Sequence, residues 1–248
     1  MSKIIAITNH KGGVGKTTTT LNLASGCQQI GKKVLCLDLD PQANLSQSVK
    51  IHHPRNIYTA LKSGEPLLPF TILQGWDIVP STLDLSGAEI ELSGEAGREY
   101  LLKELLQPIK DTYDLIFIDC PPALGLLTLN ALTASDYLII PVQCEYLALQ
   151  GLAKLLEVIE KIKKRLNPSL TIIGILLTQY DGRKILNRQV EETLVESFGD
   201  KVFKTKIRDN IALAEAPVQG LDIFRYDSKS RGSEDYFLLC NELLNRLV

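Results

Sequence analysis

Apolar residues run along the chain in two alternating rhythms. Residues 3–8, 33–37, 115–118, 137–142 and 171–178 are apolar at mostly consecutive positions. Such short runs read as strands buried on both faces. Between them the period lengthens. Leu152, Leu155, Leu156, Ile159 and Ile162 fall on one face of a helix. Val190, Leu194, Ser197 and Phe198 outline another, which Gly199 stops, and Leu21-Asn22-Leu23-Ala24 opens a third. Strands alternating with helices imply right-handed crossovers, hence an α/β fold: a mostly parallel sheet with helices on both faces. No repeat, low-complexity tract or linker interrupts the pattern, so residues 1–248 are expected to form a single domain. Ligands of such sheets sit beyond the carboxyl ends of the strands, which makes the strand-ending motifs the first place to look for chemistry.

Composition narrows the class. Of 248 residues, 45% are hydrophobic and 23% charged, the balance of a soluble globular protein. No run approaches the ~18 apolar residues of a membrane span. The start, Met1-Ser2-Lys3-Ile4, turns polar too soon for a signal peptide, so a cytoplasmic location is expected. Five cysteines, an odd number without a C-x-x-C pair, read as small buried hydrophobes rather than a disulfide or zinc framework. The net charge of −2 hides an asymmetry. Residues 1–150 hold 11 basic and 15 acidic side chains, residues 151–231 hold 15 and 11, and the last seventeen hold 1 and 3. The basic side chains of the middle segment cluster as Lys161, Lys163, Lys164 and Arg165; as Arg183, Lys184 and Arg188; as Lys201, Lys204, Lys206 and Arg208; and as Arg225, Lys229 and Arg231.

The first strand runs into Asn9-His10-Lys11-Gly12-Gly13-Val14-Gly15-Lys16-Thr17-Thr18 and then a helix. A glycine-rich turn in that position converges backbone N–H groups on an anion. Lys16 adds a point charge for the outer phosphates, and the Thr17 hydroxyl suits Mg²⁺. The fit to G-x-x-x-x-G-K-[ST] departs at its first glycine, where His10 stands, and a second lysine, Lys11, precedes the usual one by five residues. Backbone amides and Lys16 already fill the phosphate nest, so Lys11 has little reason to crowd in from the same subunit. Asp38 and Asp40 lie two apart at a strand end, where one can turn toward a metal and the other toward a nucleophilic water. Asp119 ends the buried strand 115–118, the way a carboxylate is delivered to Mg²⁺, and Pro121-Pro122 stiffens the exit.

The set Lys11-Gly12-Gly13-Val14-Gly15-Lys16-Thr17 resembles the deviant Walker A loop of the ParA/MinD P-loop ATPases. Leu37-Asp38-Leu39-Asp40-Pro41-Gln42-Ala43-Asn44, Asp119-Cys120-Pro121-Pro122, Ile140-Pro141-Val142-Gln143-Cys144-Glu145, Leu213-Ala214-Glu215-Ala216-Pro217 and Arg225–Gly232 are similar to its ParA/Soj partition branch. The resemblance spans nearly the whole chain and implies a P-loop NTPase fold binding ATP and Mg²⁺. It implies nucleotide contacts from Lys11 through Thr18, metal-shell roles for Thr17, Asp38 and Asp119, and a hydrolytic role for Asp40. By the same resemblance, Lys11 and Lys16 serve catalysis, and Lys11 reaches across an ATP-sandwiched homodimer. It further implies non-specific double-stranded DNA contact through the basic half, with Arg183, Lys184, Arg188, Lys204, Lys206 and Arg231 as candidates, a ParB-like centromere-binding partner, and a nucleoid-associated location. Arg208-Asp209-Asn210 replaces the Pro-Arg-Asn of many relatives, and Arg208 and Asn210 are the candidates for base recognition.

Three other readings compete. A MinD-like membrane ATPase needs a basic amphipathic tail, but residues 234–248 are amphipathic and net acidic, which predicts packing on the domain and no membrane contact. An iron–sulfur reductase of nitrogenase iron-protein type needs paired cluster cysteines, and a ligase of dethiobiotin-synthetase type needs a substrate site; neither is legible. The phosphate loop begins by residue 9, so no helix-turn-helix extension and no operator-specific binding are expected.

Overall fold

The computed structural model describes residues 2–145 and 148–247, so Met1 and Val248, both used in the sequence reading, lie outside it. The described strands are β1 (Lys3–Ile7), β2 (Val34–Asp38), β3 (Phe70–Leu73), β4 (Trp76–Val79), β5 (Leu115–Asp119), β6 (Tyr137–Gln143) and β7 (Thr171–Thr178). The helices are α1 (Lys16–Gln29), α2 (Asn44–Ser48), α3 (Ile57–Ser63), α4 (Ala88–Glu91), α5 (Leu101–Leu106), α6 (Leu126–Ala134), α7 (Ala148–Arg165), α8 (Ile185–Phe198), α9 (Ala212–Gln219), α10 (Ile223–Tyr226) and α11 (Arg231–Arg246). The strands form one sheet in the order β3-β4-β2-β5-β1-β6-β7, parallel except for β3.

Consecutive apolar residues are explained by two cores. Successive side chains of a strand point to opposite faces, so β1 sends Ile4 and Ala6 to one core and Ile5 and Ile7 to the other. β5 divides in the same way, with Ile116 and Ile118 opposite Leu115 and Phe117. The first core is closed by α3, α5, α6, α7 and α8, the second by α1, α10 and α11. On α7, Leu152, Leu155, Ile159 and Ile162 are buried, and Leu156 packs at the margin. On α8, Val190 and Leu194 are buried, whereas Ser197 faces solvent and is no part of the buried face expected of it. α11 commits Tyr236, Leu239, Cys240 and Leu243 to the core against α1, as the acidic amphipathic pattern predicts. All five cysteines are free and buried. No described helix is long and apolar enough to cross a membrane.

The sequence reading misses the β3–β4 hairpin. Each of its strands has four residues, too few to declare a period, and β3 pairs antiparallel at the sheet edge with a register shift. Within the sheet, the chain passes from β1 to β2 on one side and from β5 to β6 on the other side of β1. That reversal opens a crevice at the carboxyl ends of β1, β2 and β5.

Candidate active site

β1 leads into a loop that ends at Gly15, and α1 begins at Lys16 with no side-chain cap. The first-turn N–H groups therefore have no local acceptor, and they sit at the positive end of the helix dipole. Gly13 and Gly15 take left-handed φ values of 75° and 85°, which a residue with a β-carbon adopts at a cost of roughly 1–2 kcal/mol. A Cβ built on Gly12 or Gly13 would meet no atom within 4 Å. The loop thus opens onto a cleft of about 420 Å³, lined also by Lys16, Thr17, Thr18, Asp40, Gln42 and Gln179. Where the common P-loop pattern has a glycine, the His10 ring is accommodated by Gly151 in α7; a Cβ there would fall 2.3 Å from His10 Cε1. Burial, together with Lys154, Lys16 and Lys11, holds the imidazole pKa below its usual value.

Neighbouring strands brace the loop. Val14 is buried, and its carbonyl accepts the Thr178 hydroxyl at 2.9 Å. Gln179 Nε2 donates to the Gly13 carbonyl at 2.8 Å, and Gln143 Nε2 donates to Gln179 Oε1 at 2.8 Å. Asn9 Nδ2 donates to the Pro141 carbonyl at 2.7 Å while its Oδ1 accepts the Lys11 N–H at 3.1 Å. Gln179, in the cleft wall, and Ala43, between the lining residues Gln42 and Asn44, are non-glycine residues held at φ near +50°, strain of about 1–3 kcal/mol each of the kind that surrounding structure must enforce.

Lys16 is buried, and its Nζ donates to the Lys11 carbonyl at 3.0 Å. Burial lowers its pKa, against the opposing pull of Asp119. Strand register places Asp38 beside Asp119. Thr17 donates its hydroxyl to Asp119 Oδ2 at 2.7 Å. Asp38 is turned the other way: its Oδ2 accepts the Ser46 N–H and hydroxyl at 2.8 and 2.7 Å, and its Oδ1 accepts the Asp40 N–H at 3.2 Å. Asp38 therefore stands behind Asp40 and fixes its backbone. Asp40 lines the cleft, with Oδ1 taken by the Gln42 N–H at 2.9 Å.

The carboxylates test the site for a cation. Burial, then the neighbouring Asp38, holds the Asp119 carboxyl well above the usual carboxylate range. Burial likewise pushes Asp38 up to about 6, despite its hydrogen bonds from Ser46 and Asp40. Negative charge is concentrated where Lys16 is the nearby cation. A hard divalent ion with oxygen ligands fits that donor set. Among the described residues no group of three or more His, Cys, Asp or Glu is placed to cage a metal.

The two lysines of the loop diverge. Lys16 faces into the cleft, whereas Lys11 points out of it and pairs with Glu145 at the end of β6, both side chains partly exposed. Arg208 and Asn210 line a second cavity of about 310 Å³, which shares Gly15, Thr18 and Gln179 with the phosphate cleft. The Arg208 guanidinium is held there by Asp235 and Glu234 of α11.

The basic candidates fall into two kinds. Lys206 is paired with Glu191 and lies over the Tyr180 ring, 4.8 Å from its centroid. Arg183, 92% exposed, binds Asp181. Lys184, Arg188, Lys204 and Arg231 are exposed and make no ion pair among the described residues. Lys204 and Lys206 line one groove, Arg188 an adjoining one, and Glu191 belongs to both. Arg231 stands at the first turn of α11. Sequence reasoning missed Asn9, Ser46 and Gln179; the positive φ that Gln179 adopts leaves no mark in its residue type.

A family model described as AAA domain matches residues 2–172. The chain is 48% identical over 249 residues to the sporulation initiation inhibitor protein Soj of Bacillus subtilis, covering 98% of each. It is 45% identical to the chromosome partitioning protein ParA of Myxococcus xanthus, covering 99% of this chain and 89% of that one. Among solved structures, cobyrinic acid a,c-diamide synthase of Mycobacterium smegmatis, with bound ADP and magnesium, superposes with a TM-score of 0.88 at 33% identity. That match covers 100% of this chain and 96% of that one. The septum site-determining protein MinD of Pyrococcus horikoshii, complexed with Mg-ADP, gives 0.81 at 27% identity over 98% and 96%. With the phosphate loop, the strand-end carboxylates and full-length similarity in agreement, the chain belongs to the ParA/Soj family of P-loop ATPases.

Proposed function

We propose that this ATPase is a nucleotide-dependent partition switch, monomeric without nucleotide and dimeric with ATP. As a dimer it binds double-stranded DNA without sequence preference, and it is reset when a ParB-like centromere-binding partner stimulates hydrolysis. The observation that carries the reading is the divergence of the two loop lysines: Lys16 serves its own cleft, and Lys11 is displayed outward on a partly exposed ion pair. An exposed pair of this kind is worth about 0–1 kcal/mol, so a partner's phosphates can displace Glu145.

Within one subunit, the open N–H groups of α1 and the Lys16 ammonium hold the β- and γ-phosphates. Bound Mg²⁺, held by the Thr17 hydroxyl with Asp119 and Asp38 behind it, would supply charge neutralisation for those phosphates. Asp40 keeps Oδ1 on the Gln42 N–H and turns its other oxygen to a water. Lys184, Arg188, Lys204 and Arg231 are the basic candidates best placed to meet phosphates of DNA, with Arg183 and Lys206 joining once their carboxylates release them. A single subunit offers few such contacts, and a dimer doubles them. The reading places the protein in the cytoplasm on the nucleoid, with no membrane role for α11, whose apolar face is used in the core. Light scattering tests it: a dimer with Mg-ATP and a monomer with ADP or no nucleotide are expected, and one mass in all three conditions contradicts it.

A further inference from the structure

The wall of the second cavity is set by a residue outside it. Segment 207–209 lies along the end of β7, with the Ile207 N–H on the Leu177 carbonyl and the Tyr180 N–H on the Ile207 carbonyl, both at 2.9 Å. The Arg208 N–H points away from the sheet and into α11, to Asp235 Oδ2 at 2.8 Å. Its guanidinium returns to the same carboxylate, with Nε 3.0 Å from both oxygens and Nη2 2.6 Å from Oδ1. Asp235 is 4% exposed. The next residue, Tyr236, lines the cavity itself, and its hydroxyl lies 3.2 Å from Thr19 Oγ1 in α1. Consecutive residues of α11 thus bear on one space: Tyr236 forms part of its surface, and Asp235 tethers segment 207–210, which also lines it.

That space suits a planar base. Ile207, Leu213 and Tyr236 supply apolar surface, and Asn210 spends its Oδ1 on the Ala212 N–H at 2.9 Å, which leaves its NH₂ as a donor. Mostly apolar walls with a few placed polar groups are the usual make-up of a small-molecule pocket. Arg208 contributes to the wall, but its charge is already consumed.

We propose that Asp235 is a positioning residue for the nucleotide base: through Arg208 it holds segment 207–210 at the width the base requires, and Arg208 is a strut rather than a base reader. The inference rests on the nucleotide reading above and deepens it. A proline at position 208 would bring no N–H and a fixed φ; an arginine brings an N–H and a cation, and Asp235 accepts from both. Fork-shaped charge-assisted contacts of this kind are geometrically specific as well as strong. Without the carboxylate, the partly buried Arg208 N–H loses its acceptor and the guanidinium keeps only Glu234 on Nη2, so the backbone of the segment is no longer tied to α11.

The test compares Mg-ADP with inorganic pyrophosphate, by calorimetry on the full chain. ADP lacks the γ-phosphate, so assembly does not enter, and pyrophosphate lacks the base. Asp235→Ala and Arg208→Ala are expected to weaken Mg-ADP about tenfold while leaving pyrophosphate within about twofold. Asp235→Asn, which keeps an acceptor and loses the charge, should fall between wild type and Asp235→Ala. Unchanged ADP affinity overturns the proposal, as does a parallel loss of both ligands, which would make Asp235 a general stabiliser. Should Asp235→Ala fail to fold, Arg208→Ala, altered at a half-exposed side chain, carries the same two outcomes. A wild type that binds pyrophosphate as tightly as ADP also overturns the base pocket. A wild type that binds neither overturns the nucleotide reading instead.

Discussion

At the carboxyl ends of β1, β2 and β5, charged side chains are buried and each is assigned a partner by the backbone. Lys16 is on a loop carbonyl, Asp119 on Thr17, and Asp38 on Ser46. In residues 151–231 most charges lie at or near the surface, and several find one another there: Lys206 with Glu191 and Arg183 with Asp181. The first arrangement concentrates unlike and like charge at one spot, where an incoming anion and cation change every pKa. The second neutralises itself locally, so a count of basic residues overstates what is free for DNA. Buried charge therefore reports chemistry position by position, whereas surface charge reports only after its pairings are known.

The sharpest way to break the buried half is Lys16→Ala. Losing a charge-assisted contact in a dry loop should weaken Mg-ATP by at least about 100-fold with the fold intact by circular dichroism. Unchanged affinity by calorimetry would remove Lys16 from the site. Asp40→Ala should still bind ATP but turn over at least about tenfold more slowly, ~1.4 kcal/mol of barrier, and accumulate the ATP dimer in light scattering. A variant that stays monomeric with ATP while wild type dimerises would contradict this.

The boundary between the halves is Lys11. Lys11→Ala should lose ATP-driven dimerisation with a modest change in ATP affinity. Glu145→Gln should lower the protein concentration needed for the dimer by about two- to fivefold, the range of an exposed ion pair. Dimerisation of Lys11→Ala at wild-type concentration would place that lysine in its own subunit's site or out of the reaction. In the surface half, Arg188→Ala should shallow the salt dependence of DNA binding by about one per contact per subunit. Lys206→Ala should do less, because Glu191 already holds it. Equal effects would erase the distinction between free and paired cations.

The smallest effect expected is with pH. The Asp38 carboxyl is raised in the fold to about 6, above its unfolded value near 3.8, so its contribution to stability is full below the lower value and lost as pH rises through the upper. A bound cation favours the ionised form, so Mg-ADP should raise the melting temperature more at about pH 7 than at about pH 5. An equal gain at both would show that Asp38 does not sense the ligand.

The placement of residues 11–18 between β1 and α1 was legible because a glycine-rich turn between an apolar run and a helix marks itself in residue types, and that of Asp119 because the apolar run before it marks a buried strand. The parallel sheet followed from runs apolar at consecutive positions. Gln179, Ser46 and Asn9 were not legible, since each acts through a contact made by the fold: Gln179 on Gly13, Ser46 on Asp38, Asn9 on Pro141. The tether from Arg208 to Asp235 joins residues on different elements, and Lys206 gave no sign of Glu191. β3 and β4 escaped because four residues at a sheet edge carry no period.

A salt titration of DNA binding with ATP, ADP and no nucleotide tests the switch most directly. If the ATP dimer neutralises about 4–6 phosphates, log K should fall against log salt with a slope near −4 to −5 and little sequence preference, and binding should be far weaker in the other two states. Equal affinity in all three states, or a signal that salt does not change, would contradict the coupling of nucleotide, dimer and DNA.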